Sequence, residues 1–338
     1  MTDLALPVLL AVPLVLSFVL TALLRRYALA RRMIDIPTSR SSHTQPTPRG
    51  GGAAIVAGFF VALWLADETS SLSWALAGGG GLVALIGFID DHQHVAVRWR
   101  LLIHFAAAGV VAWLAPPFSA PAFLPAFPGL ASLLLVAGVF FLVWMVNLYN
   151  FMDGIDGLAS IEALCVLGCG AALLGLDHGA DALPPLLLAA AVAGFLFWNW
   201  PRARIFMGDA CSGFLGMAIG VFALFPPAGR GVFWIWMILA GVFICDASLT
   251  LARRAINGER IHEAHRQHAY QHAARRWGHF PVTLAVAVID LCWLFPLAAL
   301  AWFGKVPPVA ALLVAYAPLV VLAYRFRAGQ REVSSTSI

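Results

Sequence analysis

Apolar runs long enough, or nearly long enough, to cross a bilayer recur along almost the whole chain. They fall at about 4–24, 53–67, 71–89, 101–115, 130–146, 161–176, 184–200, 213–225, 232–252, 281–303 and 308–324. A helix satisfies all of its own backbone hydrogen bonds, which lipid cannot do, so such runs are read as helices. The pattern predicts an all-α, polytopic integral membrane protein of about 10–11 transmembrane helices, a single domain over residues 1–338. The run at 213–225 is the shortest and must borrow flanking residues to cross.

Polar residues gather between the runs in five stretches, 25–52, 90–100, 147–160, 201–212 and 253–280. Lys and Arg in short loops are retained on the cytoplasmic side. An N-terminus outside and a C-terminus in the cytoplasm place 19 of the 21 basic residues on one face, leaving only Arg230 and Lys305 opposite. All five polar stretches are then cytoplasmic. The outer loops hold little but Pro, Gly, Ala and a few acids such as Asp67, Glu68, Asp177 and Asp181.

Composition agrees, with 61% hydrophobic and 11% charged residues and a mean hydropathy of +0.86, against roughly 25% charged in a soluble domain. The net charge of +4 is an orientation signal, and no nucleic-acid partner is needed to explain it. The N-terminus lacks a basic leader region and runs into Arg25-Arg26, so it is kept as the first span. Five cysteines without CxxC spacing suggest neither disulfides nor a zinc site.

The densest chemistry is Asn147-Leu148-Tyr149-Asn150-Phe151-Met152-Asp153-Gly154-Ile155-Asp156-Gly157. Asn147, Asn150 and Asp153 recur every third residue, so a helix continuing through them would fan them along one side, with Asp156 a step further. Gly154 and Gly157 would admit a ligand or a second helix close to the backbone. The bland alternative is a helix end with glycine caps and solvated carboxylates. Asp90-Asp91 ends another run, where adjacent carboxylates are expensive unless they share a cation or proton, and Arg98 and Arg100 follow. Asp209 sits between Gly208 and Ala210-Cys211-Ser212-Gly213, as a hard-oxygen ligand for Mg²⁺ or as the N-cap of the next span. Pro46-Thr47-Pro48-Arg49-Gly50-Gly51-Gly52 has the parts of an anion-binding loop opening a helix. In the loop from His262 to His272, His265, His268 and His272 would share a helical face and grip a diphosphate, with zinc as the runner-up. Asp290 is the one mid-span ionisable candidate, and Asp246 lies nearer a span end. Chemistry on one face favours an enzyme over a transporter, which would place paired polar residues at the midplane.

These motifs, in this order, resemble those of the polyprenyl-phosphate N-acetylhexosamine-1-phosphate transferases, over nearly the whole length from the Pro46–Gly52 loop to the late histidines. The resemblance implies transfer of HexNAc-1-phosphate from a UDP-HexNAc to undecaprenyl phosphate in a bacterial cytoplasmic (inner) membrane. UMP is released, and Mg²⁺, with Mn²⁺ as a substitute, is the cofactor. It implies a metal ligand in Asp209, catalytic acids in Asp90, Asp153 and Asp156, and substrate contacts in Asn150, His265, His268 and His272; the residues' own chemistry adds Asp91 as a catalytic acid and Arg49, Arg100 and Asn147 as substrate contacts. A homodimer stays open. The late loop lacks the three consecutive histidines of the peptidoglycan translocase, and its spacing is more similar to that of the enzymes that start O-antigen chains. A peptidoglycan-type phospho-MurNAc-pentapeptide transferase is the alternative. A CDP-alcohol phosphatidyltransferase fits less well, because Asp156-Gly157 is followed by Leu158-Ala159 and not by the Ala-Arg of that family. A lipid or ion transporter is the remaining alternative.

Overall fold

A computed structural model describes residues 5–37, 42, 44–115, 129–176, 182–225, 231–260 and 265–330. His43, Arg40, Arg230, Arg331 and the His262–Ala264 part of the histidine loop lie outside the described residues. The chain runs through α1 (Ala5–Ala30), α2 (Ala53–Leu65), α3 (Ser71–His92), α4 (Val97–Leu114), α5 (Leu130–Met152), α6 (Leu158–Gly175) and α7 (Leu183–Asn199). It continues through α8 (Asp209–Leu224), α9 (Val232–Leu239), α10 (Gly241–Ile256), α11 (Ala269–Trp277), α12 (His279–Trp302) and α13 (Pro308–Arg325). Between α1 and α2 a short antiparallel pair, β1 (Ile34–Asp35) with β2 (Thr47–Pro48), closes the first polar stretch into a hairpin.

Each of the eleven apolar runs becomes helical, so the all-α polytopic architecture stands. Seven helices (α1, α3, α4, α5, α6, α12 and α13) are long and apolar enough to cross a membrane, while α2, α7 and α8 are shorter. The run at 232–252 is not one straight span. It breaks at Ala240 into α9 and α10, which are bent by 74°. Helix starts follow local chemistry: Ser70 Oγ accepts the Ser73 N–H at 3.2 Å at the head of α3, and prolines fill the first turns of α7 and α13.

The centre is α8, buried at every residue from Ala210 to Leu224. Enclosed by other helices, a helix need not span the hydrocarbon by its own length. Close approach to it is bought by glycines: a Cβ on Gly216 would strike the Met145 backbone of α5, and one on Gly87 would strike the backbone of Asp209 and Ala210. Gly58 and Gly194 likewise lie against the α1 backbone near Pro13 and Leu14. The contact at Gly87 pins the end of α3, which carries Asp90 and Asp91, onto the first turn of α8, which carries Asp209.

Candidate active site

At the start of α8 lies a cavity of about 220 Å³. Asp35, Ser42 and Arg49 reach it from the first polar stretch and Asp91 from the second. Asp153, Gly154 and Asp156 come from the third, Phe206, Gly208 and Asp209 from the fourth, and Gln271 and His279 from the fifth. Five carboxylates, those of Asp35, Asp91, Asp153, Asp156 and Asp209, therefore line one small volume.

Asp91 is tied to the backbone of α8. Its Oδ1 accepts the Asp209 N–H at 3.1 Å and its Oδ2 the Ala210 N–H at 3.2 Å, two of the donors that a helix start leaves without intrahelical partners. The N-cap of α8 is therefore supplied by another helix, and Asp209 is free of that duty. Gly208 is required by both terms of this geometry: its φ is +82°, and a Cβ there would sit 2.6 Å from the Asp91 carboxylate.

Asp209 turns its side chain to two other partners. Its Oδ2 accepts from Arg100 Nη1 at 2.6 Å, and its Oδ1 accepts from Asn150 Nδ2 at 3.0 Å. The same Arg100 nitrogen reaches Asp90 Oδ2 at 2.5 Å, while Asp90 Oδ1 accepts the Val95 N–H at 2.7 Å. Both oxygens of Asp90 are thereby engaged, and neither Asp90 nor Arg100 lines the cavity. Asp90 meets Asp209 both through the shared Arg100 and by contact of the two carboxyl groups, from outside the cavity lining. Asn150 also donates to Ser212 Oγ at 3.0 Å, which ties α5 to α8.

The helix through Asn147 and Asn150 ends at Met152, so the expected fan does not continue to Asp156. Asn147 donates to the Val143 carbonyl of its own helix at 2.7 Å and takes no place in the cavity. Gly157, at φ +75°, starts α6 and turns the chain back. Asp156 is fixed on several sides: its Oδ2 accepts the Ala203 N–H at 3.1 Å, and its carbonyl accepts from Thr283 Oγ1 at 3.0 Å. His279 Nδ1 stands 3.2 Å from Asp156 Oδ2, and its Nε2 donates to the Ser42 carbonyl at 3.1 Å. Sequence reasoning passed over His279. The available signal was its position, after Gly278 at the mouth of a span and within the 253–280 stretch.

Two expectations about backbone and histidines are corrected. The N–H groups of Gly51 and Gly52 are not free for an anion, because they donate to the Phe206 and Met207 carbonyls at 3.0 and 2.8 Å. Those glycines are packing residues: a Cβ on Gly51 would meet Phe195 and Ile205 at 2.9 to 3.0 Å. His265, His268 and His272 do not share a helical face, since α11 begins only at Ala269 and His265 precedes it in non-helical chain. His268 is the N-cap, buried beside Asp246, with Nδ1 3.3 Å from its Oδ1. Asp246 also accepts the Ala269 and Tyr270 N–H groups at 2.9 Å, so it caps α11 as Asp91 caps α8. His272 pairs with Arg275 at 2.8 Å. The His265 ring stacks on His268 at 4.9 Å and both lie beside Phe151. Burial, helped by His268 and Arg254, pushes His265 down to about 3, so its ring is neutral near pH 7. None of the three lines the cavity.

The electrostatics of the cavity ask for a cation. Burial, then the Asp209, Asp91 and Asp156 carboxylates, hold Asp153 well above the usual carboxylate range. Asp153, Asp156 and Asp209 are hard oxygen donors of the kind Mg²⁺ takes, usually one or two per ion with water and phosphate completing the shell. Among the described residues no group of three His, Cys, Asp or Glu closes into a coordination shell. Arg100 is the one cation bonded to Asp209 among the described residues.

Residues 73–226 match the family model described as Glycosyl transferase family 4. A decaprenyl-phosphate N-acetylglucosaminephosphotransferase of Mycolicibacterium smegmatis is 30% identical over 315 residues, covering 78% of this chain and 75% of that protein. A probable undecaprenyl-phosphate N-acetylglucosaminyl 1-phosphate transferase of Bacillus subtilis is 29% identical over 268 residues, covering 77% and 74%. A decaprenyl-phosphate N-acetylglucosaminephosphotransferase of Mycobacterium tuberculosis is 30% identical over 307 residues, covering 78% and 75%.

Proposed function

From the premise that the chain belongs to glycosyl transferase family 4 and is a membrane-embedded polyprenyl-phosphate HexNAc-1-phosphate transferase, we propose its substrates, cofactor and division of labour. The donor is a UDP-N-acetylhexosamine, with the N-acetylglucosamine form first in line because the relatives' names carry that sugar. The acceptor is undecaprenyl phosphate in a bacterial cytoplasmic membrane. An oxygen of the acceptor phosphate bonds to the sugar-bearing phosphorus of the donor, the bond from that phosphorus to the bridging oxygen breaks, and UMP leaves.

The observation that carries this reading is the convergence of Asp91, Asp153, Asp156 and Asp209 with Arg49 and His279 on one cavity at the head of α8. Two anionic substrates cannot approach such a volume without positive charge. Mg²⁺, held by Asp209 and Asp153 with Asp156 beside them, would supply charge compensation at the transferring phosphate. Arg49 adds a fixed positive charge at the rim. Arg100, oriented by Asp90, holds Asp209 in place. Asp91 fixes the start of α8 and thus the position of Asp209.

Purified protein with Mg²⁺, undecaprenyl phosphate and UDP-GlcNAc within a panel of UDP-HexNAc donors should release UMP. Asp209→Asn should abolish most of that release at unchanged thermal stability. Folded protein that yields no UMP with any donor and several divalent ions defeats the proposal.

A further inference from the structure

Outside the cavity the largest unexplained polar feature is a pair of acids inside the helix bundle. Asp290, at the head of a π-helical turn (Asp290–Leu294) in α12, is 2% exposed, and Glu162 of α6 is fully buried. The sequence marks Asp290 as a lone mid-span acid, but the fold gives it Glu162 as partner, carboxyl facing carboxyl. None of the four oxygens has a hydrogen-bond partner of ordinary geometry, the nearest donors being the Phe243 amide beside Glu162 and the Cys165 thiol beside Asp290.

The surroundings exclude a neutralising base. Cys165 and Cys169 follow Glu162 on the same face of α6, and the Phe243 amide of α10 approaches from a third helix. Tyr149 of α5 and Tyr316 of α13 are near, but their hydroxyls donate to the Ala159 and Met237 carbonyls, each at 2.7 Å. Among the described residues no Lys, Arg or His pairs with either acid. No three potential metal ligands among the described residues converge there.

An ionised carboxylate only accepts hydrogen bonds, so two of them in contact repel, and most strongly where water is absent. One proton between them converts the repulsion into a bond. The negative charge that remains meets the first turn of α10, whose N–H groups lost their acceptors when the span broke at Ala240. A half-helix start turned toward an anionic group is a recurrent way to hold charge at membrane depth, and π turns place side chains that a regular helix would not.

We propose that Glu162 and Asp290 form an intramembrane proton-binding site, in which one carboxyl is protonated and donates to the other while the start of α10 holds the remaining charge. The bound proton joins α6, α10 and α12 beneath the cavity. This site is separate from the transfer chemistry and does not depend on the choice of donor or metal.

The test uses the full chain in lipid nanodiscs. Infrared spectra in an Asp153→Asn background should contain the carbonyl stretch of a protonated carboxylic acid across neutral pH, and that component of the band should be lost when the isosteric pair Glu162→Gln/Asp290→Asn is added. A hydrophobic carbodiimide, which reacts only with protonated carboxyls, should modify the wild-type peptide holding Glu162 or Asp290, and peptide mass spectrometry reads this even if the double variant fails to fold. Absence of the adduct at both positions in folded wild type overturns the proposal. So does a band that disappears on adding Na⁺ or K⁺ with a rise in thermal stability, which would assign the site to a metal cation.

Discussion

Asp91 and Asp209 meet through backbone: the two oxygens of Asp91 accept the N–H groups of Asp209 and Ala210, at 3.1 and 3.2 Å. Loss of an N-cap costs about 0.5–2 kcal/mol, and α8 is the helix around which the bundle is built. Asp91→Ala should therefore lower the unfolding temperature and the activity together, with Asp91→Asn intermediate because it keeps one acceptor oxygen. Gly208→Ala should do the same, since it adds strain at φ +82° and displaces Asp91. Asp90→Asn should leave thermal stability nearly unchanged while lowering activity. A stable but inactive Asp91→Ala would make Asp91 a reacting group and not a cap.

A divalent cation held as proposed would compete with Arg100 for Asp209, because Arg100 Nη1 sits 2.6 Å from Asp209 Oδ2. Removing the guanidinium in Arg100→Gln should free that carboxylate. The variant should reach half-maximal UMP release at a lower Mg²⁺ concentration, while kcat falls at least about tenfold, or 1.4 kcal/mol, from lost positioning of Asp209. An unchanged Mg²⁺ response would separate Asp209 from the metal.

What the chain reveals before folding depends on how local each cause is. Bilayer physics is local, so the apolar runs mark the helices one by one, and glycine-flanked acids such as Asp209 stand out by themselves. The break at Ala240 has no proline to announce it. Asp91 and Asp246 could not be read as caps, because the amides they accept lie 118 and 23 residues further along the chain. The same limit hides His279, whose Ser42 partner is 237 residues away. Asn147 shows the opposite failure: its spacing suits the site, but a carbonyl one turn back takes its amide. The three histidines share a face only if a helix runs through them, and α11 starts too late.

Asp153 should make the protein sensitive to pH in the absence of metal. Its folded-state pKa is raised above the ordinary carboxylate value by burial and by three neighbouring carboxylates. The folded state then holds a proton that the unfolded chain has released, so stability falls as pH rises from about 4 toward the raised value. With EDTA the unfolding temperature should drop over that window, and Mg²⁺ should restore it most at the alkaline end. Asp153→Asn should flatten the pH dependence and remove most of the Mg²⁺ rescue. A rescue equal to that of wild type would place the ion elsewhere.

His279 joins Asp156 to the Ser42 carbonyl, so it fixes the segment between α1 and α2 against the third polar stretch. Its replacement should act on kcat more than on folding. His279→Ala should reduce kcat at least about tenfold (1.4 kcal/mol), whereas His279→Asn, whose side-chain oxygen can still accept the Asp156 N–H that Nδ1 accepts at 3.3 Å, should recover part of it. Equal loss in both variants with a collapse in thermal stability would reduce His279 to a packing residue.

The sidedness of the site rests on charge, with 19 of 21 basic residues on the face assigned to the cytoplasm. Ile256, the last residue of α10, is 84% exposed and opens the 253–280 stretch, which makes it a suitable reporter. A single cysteine at Ile256, in a background without the five native cysteines, should be shielded from an impermeant thiol reagent in intact cells and become reactive in inverted membrane vesicles. Asp91, Asp153, Asp156, Asp209 and His279 share one cavity, so one reporter on the stretch that also carries Gln271 and His279 assigns the face of all of them. A cysteine introduced at Lys305, on the opposite side in the same scheme, should show the reverse pattern. Labelling of Ile256→Cys in intact cells would turn the bundle over and place the cavity outside, where a cytoplasmic nucleotide-sugar pool cannot reach it, and the donor assignment would fall with the topology.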